Sequence, residues 1–244
     1  MLAGDALAAM RALPVGDAAG IAAGRPVLVL APHPDDEVLG CGGLCLALVA
    51  AGIAPAILFL TDGTGSHPNS RVWPAARLRD LREAEALAAA GVLGVQPNRV
   101  GFLRLRDTAA PMEGEAFEWA VAMVAAACGE WGCATICAPW RCDPHCDHLA
   151  AHLIAAAAAM RVGVRHLAYP VWGWTLAPEV ELGALAVSGT RLELGASAAV
   201  KRRALLAHAS QLGQVIDDDP DGFRLDAATL ERMMRPFEVF LDPP

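Results

Sequence analysis

The chain has 244 residues, of which 55% are hydrophobic and 19% are charged, so a packed core is expected and general disorder is excluded. The formal net charge of −8 and the lack of a basic tract argue against a surface that binds nucleic acid. This length fits one α/β domain better than two. We therefore expect a single domain over residues 1–244, with an N-terminal helix and loop at 1–24 packing on it.

The strands are predicted where short apolar runs stop at polar loops, and helices are predicted between them. The predicted strands cover residues 26–31, 56–60, 100–103, 134–138, 166–171, 185–194 and 237–241. The predicted helices cover residues 1–13, 38–51, 74–90, 115–128, 149–160 and 197–208. This alternation, without a Pro/Ser-rich linker, is typical of a doubly wound, mostly parallel sheet flanked by helices.

An uncharged stretch from Val38 to Thr61 is long enough to cross a bilayer. A Gly-Ile-Ala-Pro break at 52–55 divides it, however, and favours a helix, a turn and a buried strand. We therefore expect no membrane span.

The seven cysteines are an odd number without the spacing of a disulfide framework, and no leader with a cleavage site is recognisable, so a reducing, cytoplasmic environment is expected. Cys133, Cys137, Cys142 and Cys146 could in principle form a thiolate zinc site. Their irregular spacing favours small buried thiols instead.

A cluster of polar residues, Pro-His-Pro-Asp-Asp-Glu at 32–37, follows the first predicted sheet strand. Ligands of open parallel sheets bind beyond the carboxyl ends of the strands, where this cluster lies. His33 and Asp36 are close enough in sequence to hold one cation, and both residue types are zinc ligands. Asp35, between them, is placed to act as a general base beside the metal.

A second cluster, His145-Cys146-Asp147-His148, follows the predicted strand 134–138. Since the ends of parallel strands share one edge of the sheet, His148 can supply a third ligand and leave a position open for water. His145 could stabilise an oxyanion or donate a proton to a leaving amine, and Asp147 could orient a histidine. Each aspartate could also be only a helix cap, and each histidine a polar core group.

The residues Ala-Pro-His-Pro-Asp-Asp-Glu at 31–37, Leu-Gly-Cys-Gly-Gly at 39–43 and His-x-Asp-His at 145–148 resemble the PIG-L/LmbE-like family of zinc-dependent N-deacetylases. The resemblance spans nearly the whole chain. It implies a Rossmann-like fold and removal of an N-acetyl group from a small conjugate, typically one containing N-acetylglucosamine. It also implies that His33, Asp36 and His148 are metal ligands. By the same resemblance, Asp35 is the general base and His145 is the oxyanion-stabilising or acid group.

The second cluster departs from the family pattern. Cys146 replaces a common proline, and Arg141-Cys142-Asp143 stands where some members carry a tyrosine, which leaves the identity of the substrate open. Arg82 and Asp107 are the charged residues that we expect near the substrate. Zinc is the expected metal, although the same N/O ligand set also suits Fe²⁺.

Two other functions stay open at this point. A noncatalytic sugar- or nucleotide-binding module would hold no stoichiometric zinc, and an esterase could use the same metal. The oligomeric state is not determined by the sequence.

Overall fold

The computed structural model describes residues 1–242, and within them eight strands form one sheet. The strands are β1 (Val15–Gly16), β2 (Val27–Ala31), β3 (Ala56–Thr61), β4 (Val100–Leu105), β5 (Thr135–Pro139), β6 (Arg165–Tyr169), β7 (Gly189–Glu193) and β8 (Phe237–Leu241). The helices are α1 (Ala3–Arg11), α2 (Ala18–Ile21), α3 (Asp36–Ala50), α4 (Ala75–Val92), α5 (Gly114–Glu130), α6 (Cys146–Val162), α7 (Ser197–Leu205) and α8 (Ala227–Met233).

The strand order is β1-β7-β8-β6-β5-β2-β3-β4, and all pairs are parallel except the two made by β8. The predicted α/β fold with a doubly wound, mostly parallel sheet is therefore confirmed. Strand β2 pairs with β3 on one side and with β5 on the other. The loops that follow β2 and β5 consequently leave the same edge of the sheet side by side.

The core lies on both faces of the sheet, and the residues of β2 alternate between the two sides. Val27, Val29 and Ala31 pack in a cluster with residues of α3, α4 and α7. Leu28 and Leu30 pack in the cluster formed with α5 and α6. All five β2 residues are buried, because a parallel strand covered by helices on both faces has no side for solvent. This double burial explains the continuous apolar run in the sequence.

The uncharged stretch that follows the first cluster forms α3, a turn and β3, as predicted. No helix within residues 1–242 combines the length and apolar character that a bilayer crossing requires. Helix α3 begins at Asp36 rather than at Val38, so the polar cluster includes the first turn of the helix. Asp36 and Glu37 are buried there together with the apolar residues that follow.

The secondary structure differs from prediction in several places. The predicted strand 185–194 covers only Gly189–Glu193, and the expected loop before β2 contains the short helix α2. The expected loop before β2 contains a short edge strand, Val15–Gly16, which pairs with β7. A helix at Ala227–Met233 was not predicted, since its seven residues are too few to display a clear helical period. Asp226 begins this helix by accepting a hydrogen bond from the backbone of Thr229.

The cysteine series does not form a thiolate zinc site. Cys133 packs in the cluster beside α5 and α6, whereas Cys137 packs on the opposite face of the sheet with Cys41 and Cys45. Cys142 belongs to a third cluster near α1. All seven cysteines are free thiols. Of the series, Cys133 and Cys137 are buried as expected, whereas Cys142 is partly buried and Cys146 is exposed.

Candidate active site

His33 and Asp36 form the first half of the site, in the sharp turn between β2 and α3. The Oδ2 atom of Asp36 accepts a hydrogen bond from the backbone nitrogen of His33 at 3.0 Å and lies 3.1 Å from its Nδ1 atom. Both side chains are buried. The turn thus holds a carboxylate oxygen and an imidazole nitrogen against each other.

His148, in the first turn of α6, completes this group from the end of β5. Its Nε2 atom lies 3.2 Å from the same Oδ2 atom of Asp36. The contact exists because β2 and β5 are neighbours in the sheet, so their C-terminal loops meet. One carboxylate oxygen therefore faces a ring nitrogen of each histidine.

The donor set fits a divalent cation. The Nδ1 atom of His148 lies 3.0 Å from the Asp143 carboxylate, which can only accept, so Nδ1 carries a proton. The Nε2 atom is buried and makes no well-aligned hydrogen bond, although Oδ2 of Asp36 lies 3.2 Å away. A carboxylate that holds the far nitrogen of a histidine is the usual support of a metal ligand, and it leaves the lone pair of Nε2 for the metal.

The site also attracts positive charge. Burial by itself would lower the pKa of His148, but Asp36 and Asp143 raise it to about 9. For His33 too, burial opposes the shift, and the surrounding carboxylates raise the pKa well above its usual value. Despite its burial, Asp36 has a pKa well below the normal range because of His148 and His33. A proton or a metal ion can supply this positive charge.

Two further carboxylates hold the other side of the His33 ring. Its Nε2 atom lies 3.1 Å from Oδ2 of Asp147 and 3.2 Å from Oδ1 of Asp107. Asp147 in turn accepts hydrogen bonds from the backbone nitrogens of Thr108 and Ala110. Asp147 therefore contacts a histidine of the first cluster, and Asp107 contacts that ring as well.

His145 lies beside the other two histidines, and all three offer ring nitrogens within 4.8 Å of one another. It caps α6, where its Nδ1 atom accepts a hydrogen bond from the backbone nitrogen of Asp147 at 3.2 Å. Burial and the positive charges of His33 and His148 lower the pKa of His145, which favours the neutral ring. A neutral ring that accepts at Nδ1 carries its proton on Nε2, so it offers a donor rather than a third imidazole ligand.

Asp35 occupies a strained backbone position in the same turn. Its φ of 134° is rare for any residue other than glycine. Glu37 stabilises this conformation by accepting a hydrogen bond from the Asp35 nitrogen at 2.8 Å, while its other oxygen lies 2.8 Å from Nε2 of His208. Burial, followed by the charge of Asp36, raises the pKa of Asp35 to about 7. The nearest cation is Arg82, with its Nη2 atom 3.7 Å from Asp35 Oδ2.

A cavity of about 160 Å³ opens in front of these residues. Its polar lining comprises His33, Asp35, Asp36, Ser66, Arg82, Asp107, Thr108, His145 and Gln211. Arg82 is buried and donates to the carbonyls of Gly63 and Pro34, so it joins the loop after β3 to the loop after β2. Asp107 likewise accepts a hydrogen bond from the backbone of Gly65. Of the predicted site residues, His148 and Asp147 stand behind this lining rather than in it.

Three supporting residues were not identified from the sequence. Asp143 holds His148 and also accepts hydrogen bonds from the backbone of residues 171–173. Glu37 and His208 together support the Asp35 turn. The only sequence signal for Asp143 and Glu37 was an extra acid beside each cluster, and such acids are common helix caps. His208 is distant in the chain, and the residues around it do not indicate its contact with Glu37.

The fold is similar to those of several solved structures. The conserved protein TT1542 from Thermus thermophilus has a TM-score of 0.64 and 25% identity, over 89% of this chain and 94% of that one. The N,N'-diacetylchitobiose deacetylase from Pyrococcus horikoshii has a TM-score of 0.64 and 21% identity, over 88% and 82%. GalB, the 4-carboxy-2-hydroxymuconate hydratase from Pseudomonas putida, has a TM-score of 0.61 and 20% identity, over 78% and 81%. At such identities the last two show the fold alone.

A comparison with individual curated proteins found no match to this chain. A comparison with family profiles did find one. The profile described as PIG-L: GlcNAc-PI de-N-acetylase matches residues 28–159, more than half of the 244 residues. The matched segment contains both polar clusters, with Asp143 and Asp147 that support their histidines. The chain therefore belongs to the PIG-L family of GlcNAc-PI de-N-acetylases.

Proposed function

We propose that this protein is a metal-dependent N-deacetylase that removes an acetyl group from an amino sugar of the N-acetylglucosamine type in a small conjugate. The observation that carries the proposal is the meeting of His33, Asp36 and His148 at one point, with Asp35 in the adjoining cavity. Family membership supports the same activity.

His33, Asp36 and His148 are the proposed metal ligands. Two imidazoles and one carboxylate suit Zn²⁺, and Fe²⁺ is accepted by the same set. When bound, the metal would polarise the acetyl carbonyl and make water more acidic. Asp143 and Asp147 hold the far nitrogens of the two histidines and so fix the direction of the rings.

Asp35 is the proposed general base. A carboxylate with a pKa near 7 accepts a proton from the attacking water more readily than an ordinary aspartate does. The same proton is then available to the leaving nitrogen when the C–N bond breaks. The strained backbone, held by Glu37, keeps the Asp35 side chain at the cavity instead of in a regular helical position.

His145 is the proposed donor to the developing oxyanion. Its neutral ring offers the Nε2 proton while its other nitrogen is held by the backbone of α6. A preorganised donor of this kind stabilises negative charge without reorganising during the reaction. Arg82 and Asp107 are the charged residues that we place beside the substrate, because both line the cavity.

The test is acetate release from a panel of N-acetylated sugars and glycosides, and from matched acetate esters, with and without chelator. We expect amide hydrolysis that is lost on chelation and restored by Zn²⁺ or Fe²⁺. Asp35→Asn should bind metal normally and lose at least about 100-fold in rate. Asp80→Asn, an exposed acid paired with Arg79, is the matched control and should leave the rate unchanged.

Three results would contradict the proposal. A protein that binds no stoichiometric metal would instead fit a noncatalytic binding module. Hydrolysis of the esters alone would indicate an esterase. Full acetate release by the metal-loaded Asp35→Asn variant would remove the assignment of the base.

A further inference from the structure

One side of the cavity is apolar. It is formed by Leu39, Trp172, Phe223 and Leu225, which we call the apolar wall. Leu39 lies one helical turn after Asp35, to whose carbonyl its backbone nitrogen donates, so the wall begins directly beside the proposed base. The wall packs against the same core cluster as α3, and it is therefore held from behind.

The two aromatic members of the wall come from segments that are far apart in the chain. The backbone of Trp172 donates to Asp143, the carboxylate that also holds His148. The backbone of Phe223 donates to the Ser66 carbonyl at 2.7 Å. The two rings meet edge to face, with their centroids 5.7 Å apart. The aromatic pair thus bridges the metal-ligand side of the cavity and the loop after β3.

Trp172 and Phe223 are partly exposed, whereas Leu39 and Leu225 are each 5% exposed. Large aromatic side chains that keep accessible surface inside a cavity are typical binding surfaces for apolar ligand groups. The leucines form the base of the wall, and the aromatic rings form its accessible outer part.

The wall has few polar side-chain atoms, so it favours apolar ligand groups over polar ones. Leu39, Phe223 and Leu225 have no polar side-chain atom, and Trp172 has only its indole N–H. The hydroxyl groups of a second sugar placed there would lose water without gaining acceptors, which is unfavourable. An alkyl or aryl group would bury apolar surface without this loss.

The wall also lies largely outside the part of the chain that defines the family. Trp172, Phe223 and Leu225 follow the profile match at 28–159, while the metal-binding residues lie within it. Three of the four wall residues therefore lie outside the segment that the family profile matches.

We propose that the apolar wall binds an apolar aglycone, so that the substrate is an N-acetylated amino-sugar glycoside with an alkyl or aryl substituent. This inference rests on the proposed function, since it places the amino sugar at Asp35 and the aglycone against Trp172 and Phe223. The polar residues that line the rest of the cavity would then contact the sugar.

The experiment compares kcat/KM for acetate release from the methyl, butyl and octyl glycosides of N-acetylglucosamine, below micellar concentrations. Each methylene group buried against the wall should raise kcat/KM by about fourfold. The kcat/KM of the octyl glycoside should therefore exceed that of the methyl glycoside by at least about tenfold. Phe223→Ser should reduce this ratio to within about twofold, whereas Phe223→Leu should retain most of it. Trp119→Ser removes an exposed aromatic residue of α5 outside the cavity and is the matched control.

A ratio near one in the unaltered protein, or an unchanged ratio in Phe223→Ser, would overturn the inference while leaving deacetylation intact. The chain-length series in the unaltered protein decides the point even when a variant fails to fold. If none of the glycosides releases acetate, the proposed function fails. In that case, calorimetry of octyl and methyl glucosaminide binding tests the wall separately. The octyl compound should bind at least about tenfold more tightly. Equal affinities would contradict the inference.

Discussion

The Nε2 atom of His33 lies 3.1 Å from the Oδ2 atom of Asp147, which is 114 residues further along the chain. This contact joins the two polar clusters and leaves the Nδ1 atom of His33 directed at Asp36. The ring is consequently held between an acid of its own turn and an acid of α6. The orientation of the His33 ring is therefore fixed by Asp36 and Asp147 together.

Asp147→Asn should weaken zinc binding by about 10- to 100-fold, because an amide holds the His33 ring less firmly than a carboxylate does. Competition against a chromogenic chelator measures this affinity. Asp221→Asn, an exposed acid in the loop before Phe223, is the control and should bind zinc normally. Equal affinities in both variants would show that Asp147 serves only the backbone of Thr108 and Ala110.

The pH dependence should follow Asp35. A base is active only when deprotonated, and the pKa of Asp35 is raised to about 7 by burial and by the charge of Asp36. The value of kcat/KM should therefore rise with pH and reach half of its plateau near pH 7, or at a lower pH when a bound cation favours the carboxylate. Asp35→Asn should lose this acid limb. A limb that persists in the variant would assign the titration to another group.

Gly40→Ala should destabilise the fold by about 1–3 kcal/mol, because the new methyl group would overlap the buried ring of Tyr169. That ring is fixed by a hydrogen bond from its hydroxyl group to the Leu30 carbonyl at 2.8 Å. Gly91→Ala is the matched change in α4, where an added Cβ meets no atom within 4 Å. It should stabilise the protein by about 0.5–1 kcal/mol. Urea unfolding of both variants tests the contrast, which equal effects would contradict.

Lys201→Met should lower the free energy of unfolding by about 3–5 kcal/mol, because it leaves the buried Glu238 carboxylate without its cation. The Nζ atom of Lys201 lies 2.7 Å from Glu238 Oε1 and donates to the Leu39 carbonyl at 2.8 Å. Arg202→Met, on the exposed side of the same helix, should change stability by less than about 0.5 kcal/mol. Denaturant unfolding measures both free energies, and an effect of Lys201→Met as small as that of Arg202→Met would contradict the stabilising role of the ion pair.

Local sequence patterns predicted most of the sheet and helices. The apolar runs that became β2, β3 and β5 are buried on both faces, so their hydrophobicity is continuous and easy to recognise. The short edge strand at Val15–Gly16 was missed because two residues carry no period. The helix predicted for 197–208 did not reveal that Lys201 is buried, because the partner that makes its burial tolerable, Glu238, lies in β8.

The sequence by itself determined the two polar clusters and the strand ends that carry them, because metal-binding residue types and apolar strands are both local signals. Only the tertiary structure decided that β2 and β5 are neighbours, and hence that Asp36 meets His148. It also revealed the supports Asp143 and Glu37 and the apolar wall around Trp172 and Phe223. The Asp36–His148 contact and the wall join segments far apart in the chain, which only strand order and burial bring together. The supports Asp143 and Glu37 instead contact residues within five positions of themselves, through turn geometry that no local sequence pattern encodes.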